Sequence, residues 1–187
     1  MLVALTGGIG SGKSYIMRLF EGLGAKSIYS DKINASLLQE KSYIIGLKKL
    51  FPTCFSGETL DKHALRNLIF SSEYDRKKLN EYSHAKIMQR IKDSVSKDGV
   101  TVCEIPLLSE GNFRACFDKI IYVDAPDAAR VRRICERDGV TEEEAAAAIR
   151  AQVTERENKN FADYVIINDG DPTDEVRRIY DILCATE

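Results

Sequence analysis

Eight residues, Gly7-Gly8-Ile9-Gly10-Ser11-Gly12-Lys13-Ser14, set four glycines, a lysine and a hydroxyl in the order G-x-x-x-x-G-K-[ST]. Chemically this is a phosphate cradle. Glycines let the backbone wrap tightly and turn its N–H groups onto phosphate oxygens. At that spacing Lys13 sets a positive charge against β- and γ-phosphates, and the Ser14 hydroxyl is a ligand for Mg²⁺. The backbone from Gly8 to Ser14 is therefore the candidate nucleotide-phosphate site.

Two acidic residues stand where a cradle of this kind would use them. Asp31 follows a short strand at the point of handover to a helix, where a carboxylate can take a proton from an attacking hydroxyl or help hold Mg²⁺ through water. The same position suits a helix N-cap, and position alone does not separate the two readings. Glu104 closes an apolar strand, the usual place for an acidic group near Mg²⁺, the alternative being an exposed strand end. Farther along, Arg130, Arg132, Arg133, Arg137, Arg150 and Arg156 crowd one stretch. Arginine's planar fork suits it to neutralise phosphate charge from a closing lid. Arg133 and Arg137, one helical turn apart, are the better candidates.

The elements that must carry these residues follow from pattern. Leu2–Leu5 reads as a buried strand, Ser14–Glu21 as a helix whose N-terminus faces the phosphates, and Ala25–Tyr29 as a second strand. From Lys32 to Lys97 the pattern is helical, with a turn near Pro52-Thr53 and Ser56-Gly57 and helices over Leu60–Phe70 and Tyr74–Val95. That length exceeds a simple crossover, which points to an inserted substrate lobe. Strands follow at Val100–Glu104, Lys119–Asp124 and Tyr164–Ile167. Thr141-x-x-Glu144 forms a capping box, and Asp171-Pro172 caps a last amphipathic helix. Alternating strands and helices predict an α/β chain of the P-loop NTPase type. It has three layers around a parallel five-stranded sheet, with a core of 1–31, 98–130 and 161–187, a helical insertion at 32–97 and a lid at 131–160.

Bulk properties narrow the classes. At 187 residues, with 44% hydrophobic and 30% charged residues, the chain has the composition of one globular domain. A net charge of −2 gives no reason to expect nucleic acid or a membrane surface as partner. Five scattered cysteines without a C-x-x-C pair predict reduced thiols in a cytoplasmic protein, not a zinc site. The apolar run before the glycines is too short to cross a membrane and leads straight into the loop, which argues against a signal peptide. His63 and His84 are too far apart in sequence to suggest a metal-ligand pair.

Taken in order, these residues resemble the dephospho-CoA kinase family nearly end to end. Ala4–Ser14 is close to the family's opening, and Asp31 falls at the second aspartate of its D-A-D segment. Leu65–Phe70, with Arg66, resembles L-R-x-x-[VI]-F, and Pro106-Leu107-Leu108-Ser109-Glu110 resembles P-L-L-x-E. Arg137-Asp138-Gly139, Gln152, Ala162-Asp163 and Ile167-Asn168-Asp169 are similar to its R-D-G, lid glutamine and A-D-x-V-I-x-N elements. The chain departs from the pattern at Tyr29, Ala35, Ala85 and Glu104.

The resemblance implies ATP- and Mg²⁺-dependent phosphorylation of the ribose 3′-hydroxyl of dephospho-CoA by a monomer or weak homo-oligomer. Asp31 would be the base, with Lys13 and Arg137 catalytic beside it, Arg133 and Asn168 at the nucleotide, and Ser14 and Glu104 at the metal. Arg66, His84, Leu107 and Arg156 would bind dephospho-CoA with Asp31. Two rivals are another small-molecule P-loop kinase and a nucleotide switch or binder without catalysis. Against a GTPase switch, the chain has no N-K-x-D guanine motif.

Overall fold

A computed structural model describes residues 1–106, 114–152 and 159–186. Chain contacts divide it into two compact units, Met1–Tyr29 with Ser94–Glu187, and Ser30–Asp93.

The first unit is built on a five-stranded sheet. In chain order its strands are β1 (Leu2–Gly7), β2 (Lys26–Tyr29), β5 (Thr101–Glu104), β6 (Lys119–Asp124) and β7 (Tyr164–Ile167). They pair in the order β2-β5-β1-β6-β7, every pair parallel. All six residues of β1 are buried, as expected of a central strand covered on both faces. Strand periodicity sends Val3 and Leu5 to one face. There they join Ile16, Met17 and Phe20 of α1 (Lys13–Gly22) and Val176, Ile179 and Leu183 of the last helix (Thr173–Ala185) in one core. From β1 the chain runs one way to β2, then crosses back so that β5 and β6 flank β1 on opposite sides. A switch of direction at β1 opens a crevice beyond its carboxyl end, where open α/β sheets hold their ligands. The loop Gly8–Gly12 leaves β1 at that end.

After β6 come α6 (Asp127–Asp138) and α7 (Glu142–Ala151), packed on each other. Gly139 ends α6 in the left-handed conformation (φ 68°), and the capping box of Thr141 and Glu144 starts α7 as expected. The last helix, α8, is preceded by Asp171, whose Oδ1 accepts from the Thr173 amide at 3.0 Å.

The second unit contains α2 (Ser30–Leu37), α3 (Lys41–Leu50), α4 (Lys62–Ser71) and α5 (Glu73–Asp93). Leu37, Tyr43, Leu47, Phe51, Cys54 and Leu65 form its core. The expectation of a wholly helical stretch is corrected here. Phe55–Ser56 (β3) and Thr59–Leu60 (β4) pair antiparallel as a small hairpin, because Gly57 adopts the left-handed turn (φ 60°) that folds the chain back. Asp61 then caps α4, accepting from the His63 and Ala64 amides. Among the described residues no helix is long and apolar enough to cross a membrane.

Candidate active site

The phosphate loop is fixed from two sides. On one, the Lys13 ammonium folds back over the loop and donates to the carbonyls of Gly7 (2.9 Å) and Gly8 (3.1 Å). The Ser11 amide closes a turn onto the Gly8 carbonyl at 3.2 Å. Gly12 is left-handed (φ 89°, ψ 28°) and begins α1 with no side-chain cap and no acidic residue in the first turn. An uncapped, acid-free helix start presents orphan N–H groups and the positive end of the dipole to an anion.

On the other side, side chains from α6 and from the residues just after α7 and β7 grip the loop's backbone. Arg130 Nε donates to the Ile9 carbonyl at 2.9 Å. Arg133 Nη1 donates to the carbonyls of Gly10 (3.3 Å) and Ser11 (3.2 Å), and its Nη2 donates to the Asn168 carbonyl at 2.9 Å. Asn168, buried, donates from Nδ2 to the Ser11 carbonyl at 2.7 Å. Gln152 Oε1 accepts the Ile9 amide at 2.7 Å. Each grip has a consequence on the far side of the peptide. In a planar trans peptide C=O and N–H point in opposite directions. Holding the Ile9 and Ser11 carbonyls towards α6 and Asn168 therefore turns the Gly10 and Gly12 amides the other way. Arg133 and Asn168, expected at the nucleotide, thus act in this structure through the loop backbone.

Glycine is required where this grip is closest. A Cβ at Gly12 would collide with Asn168 Nδ2, and one at Gly10 would meet the Arg130 carbonyl at 2.8 Å. Two hydroxyls at the site, Thr6 Oγ1 and Ser11 Oγ, are buried without a hydrogen-bond partner among the described residues. Buried donors left unmatched cost about 1–3 kcal/mol each, so these groups suit a polar ligand at the loop.

The remaining expected residues fall as follows. Ser14 lies exposed in the first turn of α1. Glu104, half-buried, is the last residue of β5 and pairs in register with Leu5 and with Tyr29. Burial raises the Tyr29 hydroxyl pKa first; its 3.0 Å bond to Glu21 and the charge of Glu104 add to the effect. Arg137, expected to share a face with Arg133, does not join it at the loop. It is exposed and bonded through Nε and Nη2 to both carboxylate oxygens of Asp138, each at 2.7 Å.

Asp31, exposed, belongs to the second unit and sits in the first turn of α2, which already starts at Ser30, so it is not the residue preceding the helix. In the same unit Arg66 lies 5.6 Å from the centre of the exposed Phe70 ring. His84 is half-buried on α5, and burial lowers its pKa. Leu107 and Arg156 lie outside the described residues. Arg130 as a loop anchor was not anticipated; its spacing of three residues from Arg133 and four from the buried Ile134 was the available signal.

Comparison with known proteins identifies the family. A family model described as Dephospho-CoA kinase matches residues 1–174. A dephospho-CoA kinase of Shouchella clausii is 35% identical over 198 residues, covering 100% of this chain and 98% of the relative. A crystal structure from Thermus thermophilus superposes with a TM-score of 0.81 at 32% identity, covering 100% of this chain and 98% of that one. The dephospho-CoA kinase of Campylobacter jejuni does so with 0.70 at 25% identity, with the same coverage. A parallel sheet with the phosphate loop at the end of its central strand, matched in sequence along nearly the whole chain, makes this protein a member of the dephospho-CoA kinase family.

Proposed function

We propose that this chain transfers the γ-phosphoryl group of ATP to the ribose 3′-hydroxyl of dephospho-CoA, yielding CoA and ADP, the last step of coenzyme A synthesis. The observation that carries this reading is the Gly7–Ser14 loop, gripped from behind so that its Gly10 and Gly12 amides turn to one side, within a chain of this family. Phosphoryl transfer needs positioning and charge neutralisation more than covalent chemistry. The loop backbone and the start of α1 hold the phosphates, and Lys13 leaves its carbonyl partners to meet their charge. Asp31 orients the 3′-hydroxyl and takes its proton as the oxygen attacks phosphorus. Arg66, His84, Leu107 and Arg156 hold the acceptor, and the segment 131–160 works as a lid whose Arg137 exchanges Asp138 for phosphate.

Ser14 and Glu104 would hold Mg²⁺, offering a hydroxyl and a carboxylate, the hard oxygen donors that this ion takes. When bound, that ion neutralises charge on the β- and γ-phosphates. We further assign the enzyme to the cytoplasm, acting as a monomer or weak homo-oligomer on small molecules alone.

The test compares wild type with Asp31→Asn for turnover and, separately, for nucleotide binding. The reading predicts that the substitution lowers acceptor-dependent turnover more than a hundredfold, about 3 kcal/mol of transition-state stabilisation, while ATP affinity stays within a few-fold. Undiminished turnover would remove Asp31 from the role of base. Wild type inert towards dephospho-CoA while binding ATP would contradict the substrate.

A further inference from the structure

We infer that Arg130 is a positioning residue for phosphate binding: from α6 it holds the Ile9 carbonyl and so aims the Gly10 amide into the loop. Arg130 is buried, with 4% of its surface exposed. Burying a guanidinium is costly unless it is hydrogen-bonded. One contact, from Nη1 to the Asp127 carboxylate, is 3.4 Å long. A shorter bond runs from Nε to the Ile9 carbonyl, 2.9 Å long and bridging 121 positions of sequence. That carbonyl shares a planar peptide with the Gly10 amide, which must then point away from α6.

Packing removes the freedom to turn it back. A Cβ at Gly10 would lie 2.8 Å from the Arg130 carbonyl, 3.1 Å from its Cα and 3.1 Å from Ile134 Cγ1, so α6 is the wall against which this peptide rests. Gln152 fixes the neighbouring Gly8–Ile9 peptide through the Ile9 amide. Arg130 thus determines one of the loop's phosphate-facing donors without touching the ligand, and its fixed charge adds a positive field behind the loop. The inference rests on the reading of this loop as a nucleotide-phosphate site.

The experiment measures calorimetric affinity for ADP and for adenosine in wild type, Arg130→Ala and Arg130→Gln, with a thermal melt of each. Glutamine keeps a side-chain N–H donor and drops the charge. Arg130→Ala is expected to weaken ADP binding at least tenfold and adenosine less than threefold, and Arg130→Gln to recover part of the ADP loss. A general loosening of the fold would weaken both ligands alike. Equal losses for ADP and adenosine, or an ADP affinity within twofold of wild type in Arg130→Ala, would overturn the inference. Wild type that fails to bind ADP would instead overturn the nucleotide-site reading on which it rests.

Discussion

Asn168 offers the sharpest test of how the loop is held, because two substitutions at this one position should differ in a predictable order. Its Nδ2 donates to the Ser11 carbonyl at 2.7 Å, while its backbone amide and carbonyl are bonded to Asp124 and Arg133. Asn168→Ala deletes only the side-chain bond. Ser11 keeps the Arg133 Nη1 bond at 3.2 Å and is not orphaned, so the cost is that of one net hydrogen bond, about 1 kcal/mol. That corresponds to roughly fivefold in nucleotide affinity. It also lowers the melting temperature by about 2–4 °C for a chain of this size.

Asn168→Asp is isosteric but replaces the donor with a carboxylate. The bond is lost, the new oxygen faces a carbonyl or draws Arg133 off the loop, and a buried negative charge now stands behind the phosphates. A unit charge roughly 8 Å from a phosphate charge costs about 2 kcal/mol at an effective dielectric of 20. The sum, about 3 kcal/mol, is on the order of a hundredfold in affinity. Titration calorimetry with ADP and with a non-hydrolysable ATP analogue reads both variants directly. Wild type tightest, alanine a few-fold weaker and aspartate far weaker is the expected order. Equal affinities for the two variants, or no loss in Asn168→Ala, would refute the argument that side chains behind the loop orient its amides.

Three further outcomes follow from the same structure. Gly12→Ala forces a side chain into a left-handed position (φ 89°) against Asn168 Nδ2, a strain of about 1–2 kcal/mol before the collision is counted; ADP affinity should fall more than tenfold, and an unchanged titration would contradict the geometry. Burial, with the Glu104 charge second, pushes the Cys103 thiol up to about 12, whereas Cys184 is exposed; at pH 8 a thiol reagent should modify Cys184 rapidly and Cys103 only on unfolding, as peptide mapping would record. Burial lowers the His84 pKa, so the unfolded chain binds a proton there more readily than the folded one. Its contribution to stability is present above the unfolded value of about 6.5 and is lost as pH falls below it. Denaturant midpoints measured between pH 5 and 7 should show a shallower slope in His84→Gln, and identical slopes would exclude the assignment.

How much was legible beforehand depended on the range of the interactions. The loop, the buried run of β1 and the capping box of Thr141 and Glu144 are local patterns, and the structure has them where the residues stand. The hairpin of Phe55–Ser56 and Thr59–Leu60 escaped notice because two-residue strands are too short to show alternation; only the Ser56-Gly57 turn left a trace. The arginines of α6 were harder still. Arg130, Arg132, Arg133 and Arg137 look alike in sequence, yet Arg130 is buried, Arg133 reaches the loop, and Arg132 and Arg137 are exposed. What separates them is a contact with Ile9, 121 positions away, and the adjacent Asp138, whose carboxylate accepts from Nε and Nη2 of Arg137. Spacing on a helix identifies residues that share a side; it does not say what that side rests against.

The central claim is tested most directly by incubating the wild-type protein with Mg·ATP and dephospho-CoA and following ADP release and product mass together. The account predicts ADP released only when acceptor is present, in one-to-one amount with a product heavier by one phosphate and carrying it on the ribose 3′-oxygen. ADP released at the same rate without acceptor, or a folded, ATP-binding protein that leaves dephospho-CoA unchanged, would contradict it.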